Sequence, residues 1–298
     1  MQIEKIHTSI GHQAALYALA PGHDDRHFLS AGGDGWIVEW SLDDPETGRL
    51  AAAVETRVFS LLHLPAEKLL LAGNMTGGVH WVDLADPART RNVQHHRQGV
   101  YDLLVVGGSL YSAGGEGLLT RWSVAERRSV ESVQLSTRSL RSLAYSASRD
   151  ELAVGASDGN IYLLEASTLA LRRILPNAHL PSVFTVAYSP DQSHLLSGGR
   201  DAMLRVWDAE QAGPAQLELP AHRFTINHLA FSPDGRLLVT ASRDKTFKIW
   251  DAHSYELLKV VDTLRFGSHI NSVNRLLWLP DALVTAGDDR SAMLWRVH

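Results

Sequence analysis

The chain of 298 residues is 45% hydrophobic and 20% charged, with a formal net charge of −5 and no cysteine. This length buries a sizeable core without covalent staples, and the absence of cysteine excludes disulfides, thiolate zinc sites and thiol nucleophiles. The mildly acidic balance, without runs of Lys or Arg, argues against a nucleic-acid partner.

The first segment, MQIEKIHTSI, alternates apolar and polar residues and therefore predicts a β-strand over residues 1–10. It carries Glu4 and no continuous apolar run, which makes it a poor signal peptide. Nowhere does the chain contain a run of about eighteen apolar residues. We therefore expect a soluble, cytoplasmic protein without a membrane partner.

Four residue types then recur in register along the whole chain. A large apolar marker, usually Trp, stands every 41 to 45 residues, at Trp40, Trp81, Trp122, Leu164, Trp207, Trp250 and Trp295. Six residues earlier stand Asp34, Met75, Glu116, Asp158, Asp201, Asp244 and Asp289. Ten residues before the markers stand Ser30, Leu71, Ser112, Val154, Ser197, Thr240 and Thr285. A histidine precedes five markers by 26 to 28 residues, at His12, His96, His179, His222 and His269. This period indicates structural repeats.

Each repeat offers four short β-runs separated by turn residues. In the sixth repeat the runs are TINHLAF, RLLVTAS, TFKIWD and YELLKVV, and the first two are joined by Ser232-Pro233-Asp234-Gly235. Pro presets φ in such a turn, and Gly tolerates positive φ. No segment has the periodicity of an amphipathic helix, so the predicted class is all-β.

The repeats resemble the WD-repeat β-propeller family over residues 1–298. The resemblance implies a single domain, a seven-bladed β-propeller of four-stranded antiparallel blades, with repeats that end near residues 41, 82, 123, 165, 208, 251 and 296. It also implies that strand 1–10 closes the ring by pairing with the last blade, which hides a sheet edge.

The resemblance further implies a hydrogen-bonded set of His, Ser or Thr, Asp and Trp within a blade. The complete structural tetrads would be His12–Ser30–Asp34–Trp40, His179–Ser197–Asp201–Trp207, His222–Thr240–Asp244–Trp250 and His269–Thr285–Asp289–Trp295. A fifth set, His96–Ser112–Glu116–Trp122, has a longer acid. Repeats two and four lack most of these residues, so we expect them to rely on apolar packing alone and to form the softer blades.

The sequence offers little chemistry beyond this scaffold. Ser, His and Asp in one network suggest a serine hydrolase, but repeated copies with a Trp partner indicate a structural role, and no Gly-x-Ser-x-Gly elbow occurs. His95 and His96 are adjacent and point to opposite sides of an extended segment, which disfavours a shared metal. We expect no catalytic residue, metal ligand or cofactor. The alternative is a metal-assisted hydrolase or other enzyme that uses the central channel, near which Asn227 and Asn274 would lie.

The resemblance implies a partner surface, here called the top face. It is formed by the loops before the first strands and by the turns between second and third strands. The predicted partner-binding residues are Tyr17, Arg57, Phe59, Tyr101, Arg141, Phe184, Arg200, Asn227, Arg243, Asn274 and Asp288. One exposed position, five residues after the tetrad His, supplies the aromatic residues, Arg141, Asn227 and Asn274, and Arg57 stands two residues before this position in repeat two. The position before the turn acid supplies Arg200, Arg243 and Asp288, and it is occupied by Asn74 in repeat two. Aromatic residues and Arg are the usual anchors of protein interfaces.

The predicted function is a non-catalytic scaffold that binds a peptide or protein segment around the central channel. Small residues would leave an arc of Tyr17, Phe59 and Tyr101 open to a ligand; the alternative is that these rings only cover the rim of the channel. We expect a segment of acidic or phosphorylated character facing Arg141, Arg200 and Arg243. We also expect a protein that is a monomer by itself and a subunit of a larger assembly.

Overall fold

Short strands joined by tight turns form sheet after sheet along the chain. The computed structural model describes residues 1–211 and 213–298. Within these residues, 28 strands form seven antiparallel sheets of four strands each. The predicted seven-bladed β-propeller is therefore confirmed.

The strands follow one another blade by blade. Strand β1 (Ile3–Ile10) precedes blade 1, which contains β2 (Leu16–Pro21), β3 (His27–Gly32), β4 (Trp36–Ser41) and β5 (Arg49–Ala53). Blades 2 and 3 contain β6 (Val58–Leu64), β7 (Leu69–Asn74), β8 (Gly78–Asp83), β9 (Arg91–Gln94), β10 (Val100–Val106), β11 (Ser109–Gly114), β12 (Leu118–Ser123) and β13 (Arg128–Gln134). Blades 4 and 5 contain β14 (Leu140–Ser146), β15 (Glu151–Ala156), β16 (Ile161–Glu165), β17 (Leu171–Leu175), β18 (Val183–Tyr188), β19 (His194–Gly199), β20 (Met203–Asp208) and β21 (Leu217–Pro220). Blades 6 and 7 contain β22 (Ile226–Phe231), β23 (Leu237–Ser242), β24 (Phe247–Asp251), β25 (Leu257–Val261), β26 (Val273–Trp278), β27 (Leu283–Gly287) and β28 (Ser291–Val297).

In the part of the chain that the structure describes, helical structure is confined to two short connections. A 3-10 turn spans Pro87–Arg89, and helix α1 spans Thr263–Phe266. No helix among residues 1–211 and 213–298 is long and apolar enough to cross a membrane.

The core lies between neighbouring blades. Side chains alternate along each strand, so one face of a sheet packs against the preceding blade and the other against the following blade. At the boundary of blades 6 and 7, for example, the rings of Phe247 and Trp295 lie 5.1 Å apart, and both side chains are fully buried. Each blade is thus stabilised by two neighbours.

The ring is closed by the first strand of the chain, as predicted. Strand β1 pairs antiparallel with β28 from Ile3↔Val297 to Ile10↔Ser291, with an irregularity between Lys5 and His7. Two backbone hydrogen bonds between Gln2 and His298 extend the pairing. The outer position of blade 7 is therefore filled by a segment from the other end of the chain.

Side chains of the first strand of a blade, here called the inner strand, connect one blade to the next. The acceptors are Asp102, Ser142, Thr185 and His228, which receive the backbone N–H of Leu143, Val186, Leu229 and Leu276 at 2.8, 3.1, 3.3 and 3.3 Å. Each inner strand is a sheet edge, so its free N–H groups need partners. A polar side chain from the preceding blade supplies one.

The register predicted for blade 2 is wrong by one residue. In every blade the turn between the second and third strands contains one residue with positive φ whose N–H donates to the carbonyl three residues earlier. These residues are Gly35, Gly77, Gly117, Gly159, Ala202, Lys245 and Arg290. In the blades with a tetrad, the Trp stands five residues after the residue with positive φ. In blade 2 this position is occupied by Val82. Trp81 stands one residue earlier and therefore points to the other face of the sheet.

Trp81 consequently packs against blade 3 and lies outside any tetrad. Its ring is 6.2 Å from that of Trp122, and both are fully buried. Within the described chain, the indole N–H of Trp81 has no hydrogen-bond partner. The turn residues shift by one residue as well. Asn74 is buried, and Met75 takes the exposed position that was predicted for Asn74.

Blades 2 and 4 do not rely on apolar packing alone, which corrects the prediction. In blade 2 the buried Asn74 amide donates to His80 Nε2 at 2.9 Å and accepts the N–H of Gly78 at 2.8 Å. In blade 4 the carboxylate of Asp158 accepts the hydroxyls of Ser136 and Tyr162, both at 2.6 Å. Each blade thus has its own polar turn cluster.

Candidate functional site

The His, hydroxyl, acid and Trp sets come together in five blades. Each His Nε2 lies 2.7–2.8 Å from the Ser or Thr oxygen, and the same oxygen accepts the Trp Nε1–H at 2.8–3.0 Å. His Nδ1 lies 2.8–2.9 Å from the acid. The fifth set is among them, because the longer Glu116 side chain still reaches His96 at 2.9 Å.

These sets suit a neutral imidazole. If Nδ1–H donates to the carboxylate, Nε2 accepts the hydroxyl proton and the hydroxyl oxygen is free to accept from Trp. Burial lowers the pKa of His12, His179 and His222, although the partner carboxylates oppose that shift. Since the tetrad Ser and Thr side chains are buried and engaged on both sides, the sets stabilise the blades and offer no exposed nucleophile.

The central channel is crossed by an ion pair. Arg275, on the inner strand of blade 7, reaches Asp102 on the inner strand of blade 3, with Nη2 and Oδ1 3.3 Å apart. These blades are as far apart as a ring of seven allows. Burial raises the pKa of Asp102, and Arg275 opposes this effect. A ligand that entered the channel at this level would have to displace the pair.

The seven predicted positions of the top face share one backbone feature. They are Tyr17, Phe59, Tyr101, Arg141, Phe184, Asn227 and Asn274, and each lies at the register shift of its inner strand. Such a bulge redirects one side chain relative to the strand. All seven side chains are half-buried, which corrects the expectation that they are exposed.

Five of these residues form a continuous arc across blades 1 to 5. The ring of Phe59 lies 5.5 Å from Tyr17, edge to face, and 5.2 Å from Tyr101, stacked. The Arg141 guanidinium carbon then lies 4.3 Å from the centroid of Tyr101 and 5.0 Å from that of Phe184. The arc packs on itself, so its rings present one shared surface.

A glycine allows Phe59 to pack closely within the arc. A Cβ at Gly99 would lie 3.0 Å from the Phe59 ring, and a side chain there would force the ring to shift. The small residue thus serves ring packing, whereas the sequence analysis expected it to leave the arc open.

A basic cleft of about 370 Å³ adjoins the arc between blades 4 and 5. Its lining residues are Arg138, Ser139, Arg141, Ser157, Pro181, Ser182, Phe184 and Arg200. Arg141 Nε donates to Ser157 Oγ at 2.9 Å, and burial lowers the pKa of Arg141. In the described part of the chain, none of the three arginines forms an ion pair with a carboxylate. The cleft therefore offers three uncompensated guanidinium groups to an anion.

Some of the remaining predicted residues are exposed, and others form hydrogen bonds between blades. Arg57, Arg243 and Asp288 are exposed on the top face. The amide of Asn227 donates to Val273 O at 2.8 Å, and that of Asn274 to Leu16 O at 2.9 Å. These two amides connect neighbouring blades, which leaves less of their hydrogen-bonding capacity for a partner.

Several top-face residues were missed by the sequence analysis. Arg138 lines the cleft, and four large apolar side chains are 39–67% exposed in these loops, namely Met75, Leu180, Phe224 and Ile270. Leu180, Phe224 and Ile270 follow a tetrad His by one or two residues, and this position could have identified them. Met75 required the correct register of blade 2.

The described geometry can be compared with known proteins. The family model described as WD domain, G-beta repeat matches residues 3–41, 171–208 and 213–251. Each of the first two stretches begins with the outer strand of one blade and ends with the third strand of the next. A search of curated proteins gave no match.

The fold is similar to that of a solved propeller. The crystal structure of the WD40 β-propeller domain of Doa1 superposes with a TM-score of 0.88 at 19% sequence identity, and the match covers 100% of this chain and 97% of that one. At this identity the likeness concerns the fold alone.

Proposed function

Since this chain is a WD-repeat β-propeller, we propose that it is a non-catalytic scaffold that binds a peptide or protein segment on the top face around the central channel. Propellers of this kind typically serve as protein-interaction scaffolds. The bound segment lies across blades 3 to 5, where the arc meets the basic cleft.

The placement of Arg141 carries the proposal. Its guanidinium is held between the rings of Tyr101 and Phe184, half-buried and without a carboxylate among the described residues. A partly desolvated cation that lacks a counter-charge gains from an anionic ligand, and flanking rings fix its orientation. The hydroxyl groups of Ser157 and Ser182 add donors beside it.

The partner segment is acidic or phosphorylated. Arg138 and Arg200 complete a cationic cleft in a chain whose net charge is −5, so local charge and overall charge differ in sign. The ring surface and the exposed Met75 suit apolar residues on one side of the anionic group. The partner thus combines one anionic side chain with an adjacent apolar stretch.

An array of peptides with phosphoserine, Glu or Ser beside apolar residues tests this function. Binding is measured by fluorescence anisotropy for the native chain and for Arg141→Met, which keeps an unbranched apolar side chain and removes the charge. We expect anionic peptides to bind and Arg141→Met to weaken them roughly tenfold or more, since a charge-assisted hydrogen bond contributes about 1.5–3 kcal/mol.

Arg236→Met is the matched control, because Arg236 is exposed on a turn of the opposite face. It should leave binding unchanged. Equal binding by anionic and neutral peptides, or equal losses in both variants, would contradict the proposed function.

A further inference from the structure

Three possible metal ligands converge on the face opposite the top face. The turn that joins β2 to β3 carries His23, Asp24 and His27, and one ligand atom of each lies within 4.8 Å of the others. His23 Nε2 is 3.4 Å from Asp24 Oδ2, and His27 Nδ1 is 2.6 Å from Asp24 Oδ1. This cluster was not recognised in the sequence analysis, where only the His95–His96 pair was considered.

The backbone of the turn holds these side chains together. Gly22 N–H donates to His27 O at 2.8 Å and closes the turn. The N–H of Arg26 donates to Asp24 Oδ1, also at 2.8 Å, and orients the carboxylate. The ligand atoms are thus placed before any ion binds.

A buried carboxylate orients one of the imidazoles. Glu39, on β4, is buried and lies 2.8 Å from His23 Nδ1 through Oε1, while its other oxygen accepts from Arg49 Nε at 3.2 Å. Because Glu39 accepts a hydrogen bond from the N–H at Nδ1, the lone pair of His23 lies on Nε2, which faces the cluster. A histidine that binds a metal usually donates the N–H of its other ring nitrogen to a group such as a carboxylate, which orients the ring.

We propose that His23 Nε2, His27 Nδ1 and an oxygen of Asp24 bind a divalent cation of the zinc class, with Glu39 as a positioning residue. Two imidazoles and one carboxylate are ligands typical of Zn²⁺, whereas Mg²⁺ and Ca²⁺ prefer oxygen alone. Neighbouring ligands of a tetrahedral Zn²⁺ are about 3.3 Å apart, given bonds of about 2.0–2.1 Å. The 3.4 Å between His23 Nε2 and Asp24 Oδ2 fits this distance, and the three ligand atoms lie within 4.8 Å of one another.

The remaining coordination position faces solvent. The side chains of His23 and Asp24 are 54% and 48% exposed, so an ion reaches the cluster directly. The site lies on the face opposite the basic cleft, and it is therefore independent of the proposed partner binding.

Calorimetric titration of the full chain with Zn²⁺ tests the site. We expect one ion per chain, and at least a tenfold loss of affinity in His23→Ala and in His27→Ala. His253→Ala, which removes an exposed histidine of blade 6, is the matched control and should bind like the native chain. Thermal unfolding without metal establishes that each variant is folded.

Glu39→Gln separates positioning from folding. We expect Zn²⁺ affinity to fall about 10- to 100-fold and the visible absorption bands of bound Co²⁺ to shift, with one ion still bound. Failure of the native chain to bind Zn²⁺ at one site, or losses in His253→Ala as large as in His23→Ala, would overturn the proposal. Unchanged affinity and spectrum in Glu39→Gln would remove its positioning role.

Discussion

At the scale of single residues, two buried Trp side chains differ in whether their indole N–H has a hydrogen-bond partner. Trp122 and Trp81 face each other across the boundary of blades 2 and 3, and both are fully buried. The N–H of Trp122 donates to Ser112 Oγ at 2.8 Å, whereas that of Trp81 has no partner in the described part of the chain. One ring thus carries a buried hydrogen bond and the other a buried, unsatisfied donor.

We predict that Trp81→Phe destabilises the protein less than Trp122→Phe. Both changes remove the same ring volume, but only Trp122→Phe breaks a hydrogen bond, and only Trp81→Phe removes an unsatisfied donor. The difference should be about 1 kcal/mol or more. Urea unfolding of the two variants measures it, and equal losses of stability would contradict the assigned register of blade 2.

At the scale of elements, the blades are held by similar packing but by different polar clusters. Five blades use the tetrad, blade 2 uses Asn74 with His80, and blade 4 uses Asp158 with Ser136 and Tyr162. Blade 7 differs in another way, because its outer strand β1 comes from the beginning of the chain. The pairing of β1 with β28 also helps to bury Ile3 in the core between blades 6 and 7.

Deleting residues 1–9 should lower the melting temperature sharply, by roughly 10 °C or more. The deletion removes β1 and exposes the edge of β28, so blade 7 loses pairing and apolar cover together. Differential scanning calorimetry provides the measurement. Deleting residues 1–2 is the control, since β1 remains and only the backbone bonds between Gln2 and His298 are lost. An unchanged melting temperature for the longer deletion would show that β1 is not needed for closure.

At the scale of the whole molecule, the inner strands join opposite sides of the ring. The pair of Arg275 and Asp102 spans the channel, and Asp102 also accepts the N–H of Leu143 from the next blade. One carboxylate therefore contacts residues of blades 3, 4 and 7. The two faces differ as well, since the top face carries the arc and the basic cleft, and the opposite face carries the His23–Asp24–His27 cluster.

We predict strong coupling between Arg275 and Asp102 in a double-mutant cycle. Arg275→Met alone leaves a buried carboxylate without its counter-charge and should cost about 3 kcal/mol. Asp102→Asn combined with Arg275→Met should recover much of that loss, because no charge remains. Chemical unfolding of the four proteins of the cycle gives the coupling energy. Additive effects would indicate that the pair does not act across the channel.

Closure of the ring by residues 1–10 was implied by the family resemblance, whereas the sequence by itself determined the number of repeats, the order of their strands and the residues of the tetrads. These features recur about every 43 residues and depend on turns and hydrogen bonds within one repeat, so their pattern is visible in the order of residues. Only the tertiary structure decided which face Trp81 occupies, that Arg141 lies between rings of two other blades, and that Arg275 reaches Asp102. A bulge or a loop one residue longer reverses the direction of a side chain while leaving the repeat almost unchanged. Contacts between blades depend on those directions, and the positions of partners far apart in the chain follow only once the ring has closed.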